Sequence, residues 1–332
     1  MPDSLLPPGT TAWILSDGKI GDEVQCFGLA EALGVVPERR LVCPRAPWSW
    51  FIPFGPIDPK DAPRKPGSPI APPFPDIVIA SGRRTVSYLR AVKRASQGRA
   101  FTVFIKDPYT GTRAADLICI HAHDRLRGDN VFVSVTPSNR LSGAVLAAAS
   151  AAPDPRIATL PRPRLALILG GKSGSYDFSA DDAGRLAAIA MRHAQEGYSL
   201  MVTPSRRTPG FVTEAIRAAL AATGKPAFVW DGAGSNPYVH ILGSADALLV
   251  TADSVNMLGE AVTTGKPVMI YEPARGGHRK MTAYVDALTG LGAARRYRGT
   301  IETFSYVPIE STPAMAREAA RRYRDFRLKH PG

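Results

Sequence analysis

A polar segment follows an apolar run near residue 250. Thr251, Asp253 and Ser254 come directly after that run and precede a segment of helical spacing that contains Glu260. Hydroxyl and carboxylate groups in such a place either accept the free N–H groups of a helix start or bind a ligand. From this segment alone, both interpretations stay open. The segment 265–267, Gly-Lys-Pro, is interpreted as structural, because it ends the helix and begins the next strand.

Two other strand ends in the second half of the chain carry groups that suit a phosphate. Residues 170–174 read Gly-Gly-Lys-Ser-Gly, and residues 203–207 read Thr-Pro-Ser-Arg-Arg. Neither has the spacing of a P-loop, but glycine backbone and guanidinium groups both bind phosphate oxygens. The candidate phosphate-binding residues are Gly170, Gly171, Lys172, Ser173, Ser205 and Arg206. Several polar strand ends on one rim predict a site for a nucleotide diphosphate.

The first predicted strand of the chain ends in a glycine-containing polar loop. The loop contains Asp17, Gly18, Lys19, Gly21 and Asp22, and a helix follows it. Two glycines allow a tight turn and a close approach to an anion, although the spacing does not match GxGxxG. A plain strand–helix turn remains the alternative.

Three further strand ends in the first half carry charged or histidine side chains. Arg83 begins a helix, where acids are preferred, which favours an anion partner or else a solvated basic helix end. Asp107 follows another strand. His121 and His123 fall on one face of a third, but no third ligand is apparent, so we predict no metal site. We instead expect one of these histidines to line the binding cleft.

The order of elements predicts the fold that positions these residues. Near-continuous apolar strands alternate with amphipathic helices, which is typical of parallel sheets covered on both faces. We predict an α/β protein of two doubly wound, Rossmann-like domains facing across a cleft. The predicted boundaries are residues 1–152, a proline-rich linker at 153–164, a domain at 165–310, and a C-terminal helix at 311–332 that packs back on the first domain. Residues 44–75, with eleven prolines, are interpreted as a surface excursion that contains Trp48 and Trp50.

Composition restricts the partners and the compartment. The net charge is +12 and the pI is about 9.8, which favours an anionic partner or reflects a basic surface without function. No nucleic-acid motif is present, so we expect no nucleic-acid partner. The chain has no run of eighteen apolar residues and no signal-peptide pattern, and its three cysteines fit a reducing compartment. The expected location is therefore the cytoplasm.

Seven motifs, in this order along the chain, resemble the "elongated mitochondria" family of mitochondrial fission proteins. They are WILSDGKIGDEVQCFGLAEALG, PDIVIASGRRTV, FIKDPYTG, ILGGKSGSYDF, TPSRRTP, TADSVNMLGEAVTTGKPV and GGHRKM. The family contains a plant fission factor and bacterial proteins regarded as glycosyltransferases. It is similar to GT-B enzymes such as the transferase that adds N-acetylglucosamine to lipid I, in which the C-terminal domain holds the nucleotide-sugar and the N-terminal domain the acceptor.

The resemblance implies roles for the strand-end residues. Glu260 matches the glutamate that binds the ribose of the donor, and Ser254 matches the hydroxyl beside the phosphates. The donor set is completed by Asp253, Asn256 and the phosphate-binding residues named above. Gly18, Lys19, Gly21 and Arg83 are candidates for binding the acceptor or an anion. The loop at 17–22 lacks the glycine run and histidine of the lipid I enzyme, so that enzyme's base cannot be assigned here.

The expected reaction is hexosyl transfer to a cell-envelope or lipid-linked acceptor without a metal or other cofactor. A base must deprotonate the acceptor hydroxyl, and Asp17, Asp22 and Asp107 are the candidates. The basic surface and the aromatic residues near Trp48 suit an anionic acceptor at the inner face of the cytoplasmic membrane. The principal alternative is a non-catalytic adaptor at a membrane surface, like the plant fission factor. A nucleotide-sugar epimerase with a bound dinucleotide is disfavoured, because GxGxxG is absent.

Overall fold

A computed structural model describes residues 4–174, 176–277 and 279–330 of the 332-residue chain. The quoted motifs ILGGKSGSYDF and GGHRKM each include one residue, Ser175 or His278, outside those ranges, and the predicted C-terminal helix extends into residues 331 and 332, which also lie outside them. Contacts divide the chain into two compact units. Unit 1 comprises the residues up to Arg140 together with those from Glu310 onward, and unit 2 is Leu141–Ile309.

Unit 1 is built on six parallel strands in the order β2-β1-β3-β4-β5-β6. The strands are β1 Ala12–Ser16, β2 Pro37–Leu41, β3 Ile77–Ser81, β4 Phe101–Ile105, β5 Leu117–His121 and β6 Val131–Ser134. Helices α1 Ile20–Leu33 and α2 Thr85–Ala95 follow β1 and β3. Alternate residues of β1, β3, β4 and β5 enter different cores: Ile14 packs with the α1 side, whereas Leu15 packs with the α2 side. Burial of both faces explains why these strands are continuously apolar.

The proline-rich segment is anchored to unit 1. It includes two short 3-10 helices, Trp48–Phe51 and Pro59–Asp61. Asp58 is fully buried and accepts two hydrogen bonds from the Arg45 guanidinium, at 2.7 and 2.8 Å. Tyr88 of α2 donates to Asp61 at 2.5 Å, and Ile70 is fully buried in the core on the α2 side. These buried contacts position the segment on the surface of α2.

Unit 2 contains a second parallel sheet, in the order β10-β9-β7-β11-β12-β14. Its strands are β7 Arg164–Leu169, β9 Ser199–Pro204, β10 Ala227–Val229, β11 Ala247–Thr251, β12 Val268–Tyr271 and β14 Arg295–Arg296, and β8 Tyr176–Asp177 pairs antiparallel with β13 Arg275–Gly276. The helices are α3 Gly143–Ala151, α4 Pro155–Ala158, α5 Ala180–Gln195, α6 Gly210–Thr223, α7 Tyr238–Ser244, α8 Val255–Thr263 and α9 Arg279–Gly290. Helix α5 begins with a reciprocal capping box between Ser179 and Asp182.

The division between the units differs from the predicted linker at 153–164. Helix α3, which the sequence analysis included in the first domain, belongs to unit 2 and packs against α7 so closely that a Cβ on Gly243 would lie 2.9 Å from the Leu146 carbonyl oxygen. The proline-rich residues also bind within unit 2, where the Arg164 N–H donates to Asp246 at 2.7 Å. Pro155 begins α4, and the whole segment 153–164 lies within unit 2 and not at the division between the units.

The chain ends in α10, Ser311–Lys329, which belongs to unit 1. Met315, Ala319 and Tyr323 of this helix lie in the core cluster that also contains Leu29 and Leu33 of α1. The chain therefore returns to its first unit after completing the second. Among the helices described, none combines the length and the apolar character that a bilayer crossing requires.

Candidate functional site

The carboxyl ends of β7, β9 and β11 are neighbours in the second sheet, because β7 lies between the other two. The predicted polar strand ends therefore meet at one edge, where open parallel sheets bind ligands. The side chains at this edge connect the loops to one another.

Asp253 is the residue that joins these loops. Its side chain is buried, and burial raises its pKa, against the lowering effect of its hydrogen bonds. Oδ1 accepts from the Thr251 hydroxyl at 2.7 Å, and Oδ2 accepts from the Gly171 N–H at 2.8 Å. The Thr251 hydroxyl oxygen accepts in turn from the Gly170 N–H at 2.8 Å. Asp253 therefore fixes the loop after β7 and does not cap α8.

Gly170 and Gly171 are required by close packing. A Cβ on Gly170 would lie 2.0 Å from the Asp253 carboxylate, and a Cβ on Gly171 would lie 2.0 Å from the Arg207 backbone. The N–H groups of both glycines donate to protein acceptors, and the Lys172 N–H donates to the Arg207 carbonyl at 3.2 Å. The predicted backbone cradle for a diphosphate differs from this arrangement, because these donors are already used.

The two arginines after β9 have different environments. Arg207 donates to the Lys172 carbonyl at 3.0 Å and lies 3.5 Å from Asp253, so it holds the two loops together. Arg206, the predicted phosphate ligand, is exposed and has no hydrogen bond or ion pair within residues 4–174, 176–277 and 279–330. Lys172 is three-quarters exposed and lies 3.6 Å from Asp177. Arg206 and Lys172 are therefore the cations at this edge that a ligand phosphate can reach.

The hydroxyls near these loops cap local structure. Ser205 accepts from the Arg207 N–H at 3.2 Å, and Ser173 accepts from the Tyr176 N–H at 3.0 Å. Ser254 is the N-cap of α8, since its hydroxyl accepts from the Met257 N–H at 3.4 Å. The capping interpretation thus applies to Ser254. The Ser254 hydroxyl nevertheless lies at the start of a helix, where free N–H groups favour an anion.

Glu260 lies on α8, and Asn256 precedes it by one helical turn. Glu260 accepts a hydrogen bond from the Tyr238 hydroxyl of α7 at 2.7 Å. Burial raises its pKa to about 7, although the bond from Tyr238 acts in the opposite direction. The residue that orients Glu260 is therefore Tyr238. In the sequence, Tyr238 is distinguished only by its position at the end of the polar loop that follows β10.

The segment 265–267 has the structural role that the sequence predicts. Gly265 has φ +71°, a conformation that glycine adopts without strain. The Lys266 ammonium donates to the carbonyls of Leu242 and Gly243 in the last turn of α7, at 2.8 and 2.6 Å. A cation there stabilises the negative end of the helix.

In unit 1, two of the predicted catalytic carboxylates come together at the end of β3. A Cβ on Gly82 would lie 2.9 Å from Oδ2 of Asp22 and 3.4 Å from Oδ1 of Asp17. Lys106, at the end of β4, forms an ion pair with Asp22 and has φ +81°, which is rare outside glycine. Asp22 is therefore paired, and Lys106 is a site residue that sequence analysis did not select.

Asp17 and Asp107 differ in how they are engaged. Oδ2 of Asp17 is buried and has no hydrogen bond among the described residues, and its nearest cation is the exposed Lys19 at 3.3 Å. Asp107 accepts from the Tyr109 N–H at 2.8 Å, which stabilises its own turn. Asp17 is therefore the carboxylate with free acceptor capacity at this edge.

The remaining predicted residues of unit 1 form turns or contact the proline-rich segment. Gly18 has φ +84°, and its N–H donates to the Ser16 hydroxyl at 2.9 Å, while Gly21 lies within α1. Arg83 reaches the Ile52 carbonyl at 3.5 Å, so the helix-start arginine has a protein acceptor.

One group of side chains among the described residues could hold a metal ion: His121, His123 and Asp124. Asp124 is thus a third candidate ligand, which the strand pattern did not indicate.

Comparison with known proteins identifies a family and two relatives that match much of the chain. A family model described as Mitochondrial fission ELM1 matches residues 20–323. Mitochondrial fission protein ELM1 of Arabidopsis thaliana is 29% identical over 276 residues, which cover 75% of this chain and 63% of that protein. Uncharacterized protein RP120 of Rickettsia prowazekii (strain Madrid E) is 27% identical over 159 residues, covering 46% of this chain and 44% of that protein. The aligned regions thus span less than two thirds of either relative.

Three solved structures share the fold. MurG of Acinetobacter baumannii has a TM-score of 0.51 at 14% identity, over 96% of this chain and 94% of MurG. The UDP-GlcNAc 2-epimerase of Methanocaldococcus jannaschii has a TM-score of 0.56 at 12% identity, over 94% of this chain and 99% of the epimerase. The UDP-GlcNAc 2-epimerase of Neisseria meningitidis, bound to UDP-GlcNAc, has a TM-score of 0.52 at 12% identity, over 97% of this chain and 100% of that epimerase. The predicted GT-B fold is confirmed, and this fold includes both transferases and epimerases.

Proposed function

The chain belongs to the mitochondrial fission ELM1 family, and from this membership and its GT-B fold we propose that it is a glycosyltransferase that uses a nucleotide-sugar donor. The observation that carries the proposal is the edge of the second sheet. Ser254 caps α8 at that edge, Glu260 on the same helix is held by Tyr238, and Arg206 and Lys172 are exposed on the loops after β9 and β7. A carboxylate suits the two ribose hydroxyls, and cations suit the diphosphate.

The donor class can be tested by binding. The full chain is titrated with UDP-GlcNAc and with GDP-, ADP- and CMP-sugars, while its melting temperature and the equilibrium affinity are measured. We expect one donor to raise the melting temperature, since a ligand that binds only the folded state stabilises it. Glu260→Ala should weaken that donor by roughly 10-fold or more, because two hydrogen bonds to a charged group are lost.

Glu214→Ala provides the matched control. Glu214 lies on α6 with a side chain that is 73% exposed, and its contact is with Arg217 on the same helix. Its removal should leave donor affinity unchanged. Equal losses in the Glu260 and Glu214 variants would place the nucleotide elsewhere. Analysis of the product after incubation with donor separates transfer or hydrolysis from epimerisation of the sugar.

An exposed aromatic surface supports a lipid-linked acceptor at an anionic membrane face. Trp50, Phe51 and Phe54 are 75%, 55% and 67% exposed on the anchored proline-rich segment. Arg83 and Arg90 contact backbone carbonyls of that segment, at Ile52 and Phe54, so guanidinium groups border the aromatic rings. Aromatic rings beside cations suit the interface of an anionic bilayer.

Vesicle sedimentation tests this surface. The chain should bind phosphatidylglycerol vesicles more tightly than phosphatidylcholine vesicles, and Trp50→Ala with Phe54→Ala should weaken that binding by roughly 10-fold. Phe211→Ala removes a ring that is 50% exposed on α6 and should have no effect. Equal binding by all variants would exclude the aromatic surface as the docking site.

A non-catalytic adaptor is the second candidate, favoured by the Arabidopsis relative that is named a mitochondrial fission protein. The donor screen separates the two candidates. Failure of every nucleotide-sugar to bind the folded chain would favour the adaptor, because an adaptor has no need of a donor site.

A further inference from the structure

We propose that His121, His123 and Asp124 form a binding site for one divalent transition-metal ion, with zinc as the ion that this set of ligands suits best. The three residues lie in unit 1, at the carboxyl end of β5 and in the turn that follows it. The inference is independent of the proposed function, whose donor residues lie in unit 2.

The local fold brings the three side chains to one place. His121 is the last residue of β5, where it pairs with Ser134 of β6. The Asp124 N–H donates to the His121 carbonyl at 2.9 Å, so the chain turns back and the Asp124 carboxylate comes beside the His121 ring. The rings of His121 and His123 lie nearly parallel, with centroids 5.3 Å apart and an angle of 13° between them.

The distances fit a shared cation. One ring nitrogen of each histidine and one carboxylate oxygen of Asp124 lie within 4.8 Å of one another. The His121 Nδ1 to Asp124 Oδ2 distance is 3.6 Å, which is longer than a good hydrogen bond. Two ligand atoms bound at zinc distances in a tetrahedral site are about 3.4 Å apart. The pair is therefore spaced more like two ligands of one ion than like a hydrogen-bonded pair.

Burial provides a separate argument for a ligand. His121 is 3% exposed and Asp124 is 6% exposed. Burying a carboxylate beside an imidazole costs free energy, and a cation bound at the cluster would compensate for that cost.

The neighbouring cation does not replace the metal. Arg127 donates to the backbone carbonyls of Ala122, Asp124 and Leu126, at 3.4, 2.6 and 2.7 Å, and so binds the turn through its main chain. These three contacts are all to main-chain oxygens, so Arg127 stabilises the turn in which the cluster lies.

The ligand types select the ion. Two imidazoles and one carboxylate suit zinc, cobalt and nickel, whereas magnesium and calcium prefer oxygen ligands alone. Three protein ligands leave a fourth position open on a tetrahedral zinc ion, for water or another small donor. The site is thus predicted to hold zinc with an exchangeable fourth ligand.

The test uses the full chain, produced without a histidine tag and stripped with EDTA. Cobalt(II) is titrated while the visible absorption is recorded, and zinc is then added as a competitor. We expect one cobalt ion per chain, with absorption typical of four-coordinate cobalt, displacement by zinc, and no displacement by magnesium. Zinc should also raise the melting temperature of the stripped chain.

Variants assign the ligands. His121→Ala, His123→Ala and Asp124→Asn should each weaken cobalt binding by roughly 10-fold or more, with circular dichroism confirming the fold of each stripped variant. His240→Ala is the control, since His240 has a buried nitrogen without a hydrogen bond but lies on α7 of unit 2. Should His121→Ala fail to fold, His123→Ala and Asp124→Asn decide the question. The proposal is overturned by the absence of saturable binding, by unchanged binding in these cluster variants, or by an equal loss in His240→Ala.

Discussion

The carboxyl edges of the two sheets are constructed differently. In unit 2, Asp253 and Thr251 accept hydrogen bonds from backbone N–H groups of the neighbouring loop, and glycines allow the close approach. In unit 1, Asp22 meets Lys106 through side-chain ends, and Asp17 keeps a carboxylate oxygen without a hydrogen bond. Backbone contacts fix a loop, whereas side-chain ion pairs leave their groups free to exchange partners.

This difference suits two tasks. A site that binds the same nucleotide in each cycle gains affinity when its loops are already in place before the donor binds. A base must change its protonation state and its partners during a reaction, which the side chains of unit 1 permit. We therefore expect substitutions in unit 2 to act on stability and donor affinity, and substitutions in unit 1 to act on the rate.

The largest effect is expected in unit 1. Asp22→Asn should reduce sugar transfer by roughly 100- to 10,000-fold, the contribution of a general base, while donor affinity stays unchanged. Transfer is measured with the donor and acceptor identified by the screens above. Asp107→Asn is the matched control and should have little effect, because that carboxylate bonds to the N–H of its own turn. An unchanged rate in Asp22→Asn, together with a loss in Asp17→Asn, would make Asp17 the base.

An intermediate effect is expected in unit 2. Gly170→Ala would place a methyl group 2.0 Å from the Asp253 carboxylate, so the loop or Asp253 must move. We expect a loss of about 3 kcal/mol in the free energy of unfolding, as for an overpacked core, and weaker donor binding. Gly174→Ala serves as the comparison, since no atom lies within 4 Å of its added Cβ. Denaturant unfolding of both variants measures the effect, and similar stabilities would contradict a tightly packed loop.

The smallest effect is a pH dependence at Glu260. Its pKa is raised from 4.5 to about 7, so between these pH values the folded chain keeps a proton that the unfolded chain has lost. The unfolding free energy therefore falls as the pH rises above about 4.5, and it levels off above about 7, where Glu260 is ionised in both states. Relative to Glu260→Gln, wild type should lose about 2 to 3 kcal/mol of unfolding free energy between pH 5 and pH 8.

Paired urea titrations of wild type and Glu260→Gln at pH 5 and pH 8 measure the contribution of Glu260 ionisation to the free energy of unfolding. Glu214→Gln, on the exposed face of α6, should show no such difference from wild type. A constant difference between wild type and Glu260→Gln would mean that Glu260 is solvated.

Local signals predicted the elements and several of their ends. The alternation of apolar strands and amphipathic helices predicted two parallel α/β sheets, and the segment 265–267 predicted the end of α8 and the start of β12. Prolines were a poorer guide to the domain boundary. They mark backbone conformation within a segment, whereas the division between the units depends on the packing of α3 against α7.

The site shows the same limit. The sequence indicated which strand ends are polar, but Asp253 as a loop anchor, Arg207 beside it and Tyr238 on Glu260 each depend on a contact between distant residues. Asp124 was missed as a metal-ligand candidate because the chain turns after β5, so the alternation of a strand no longer applies.

The sequence by itself therefore determined the fold class and the polar chemistry of the strand ends, because both follow from local periodicity and residue type. Only the tertiary structure decided which of those groups are already used. Hydrogen bonds from Gly171 to Asp253 and from Tyr238 to Glu260 join residues 82 and 22 positions apart, and their energies depend on burial that no local pattern reports.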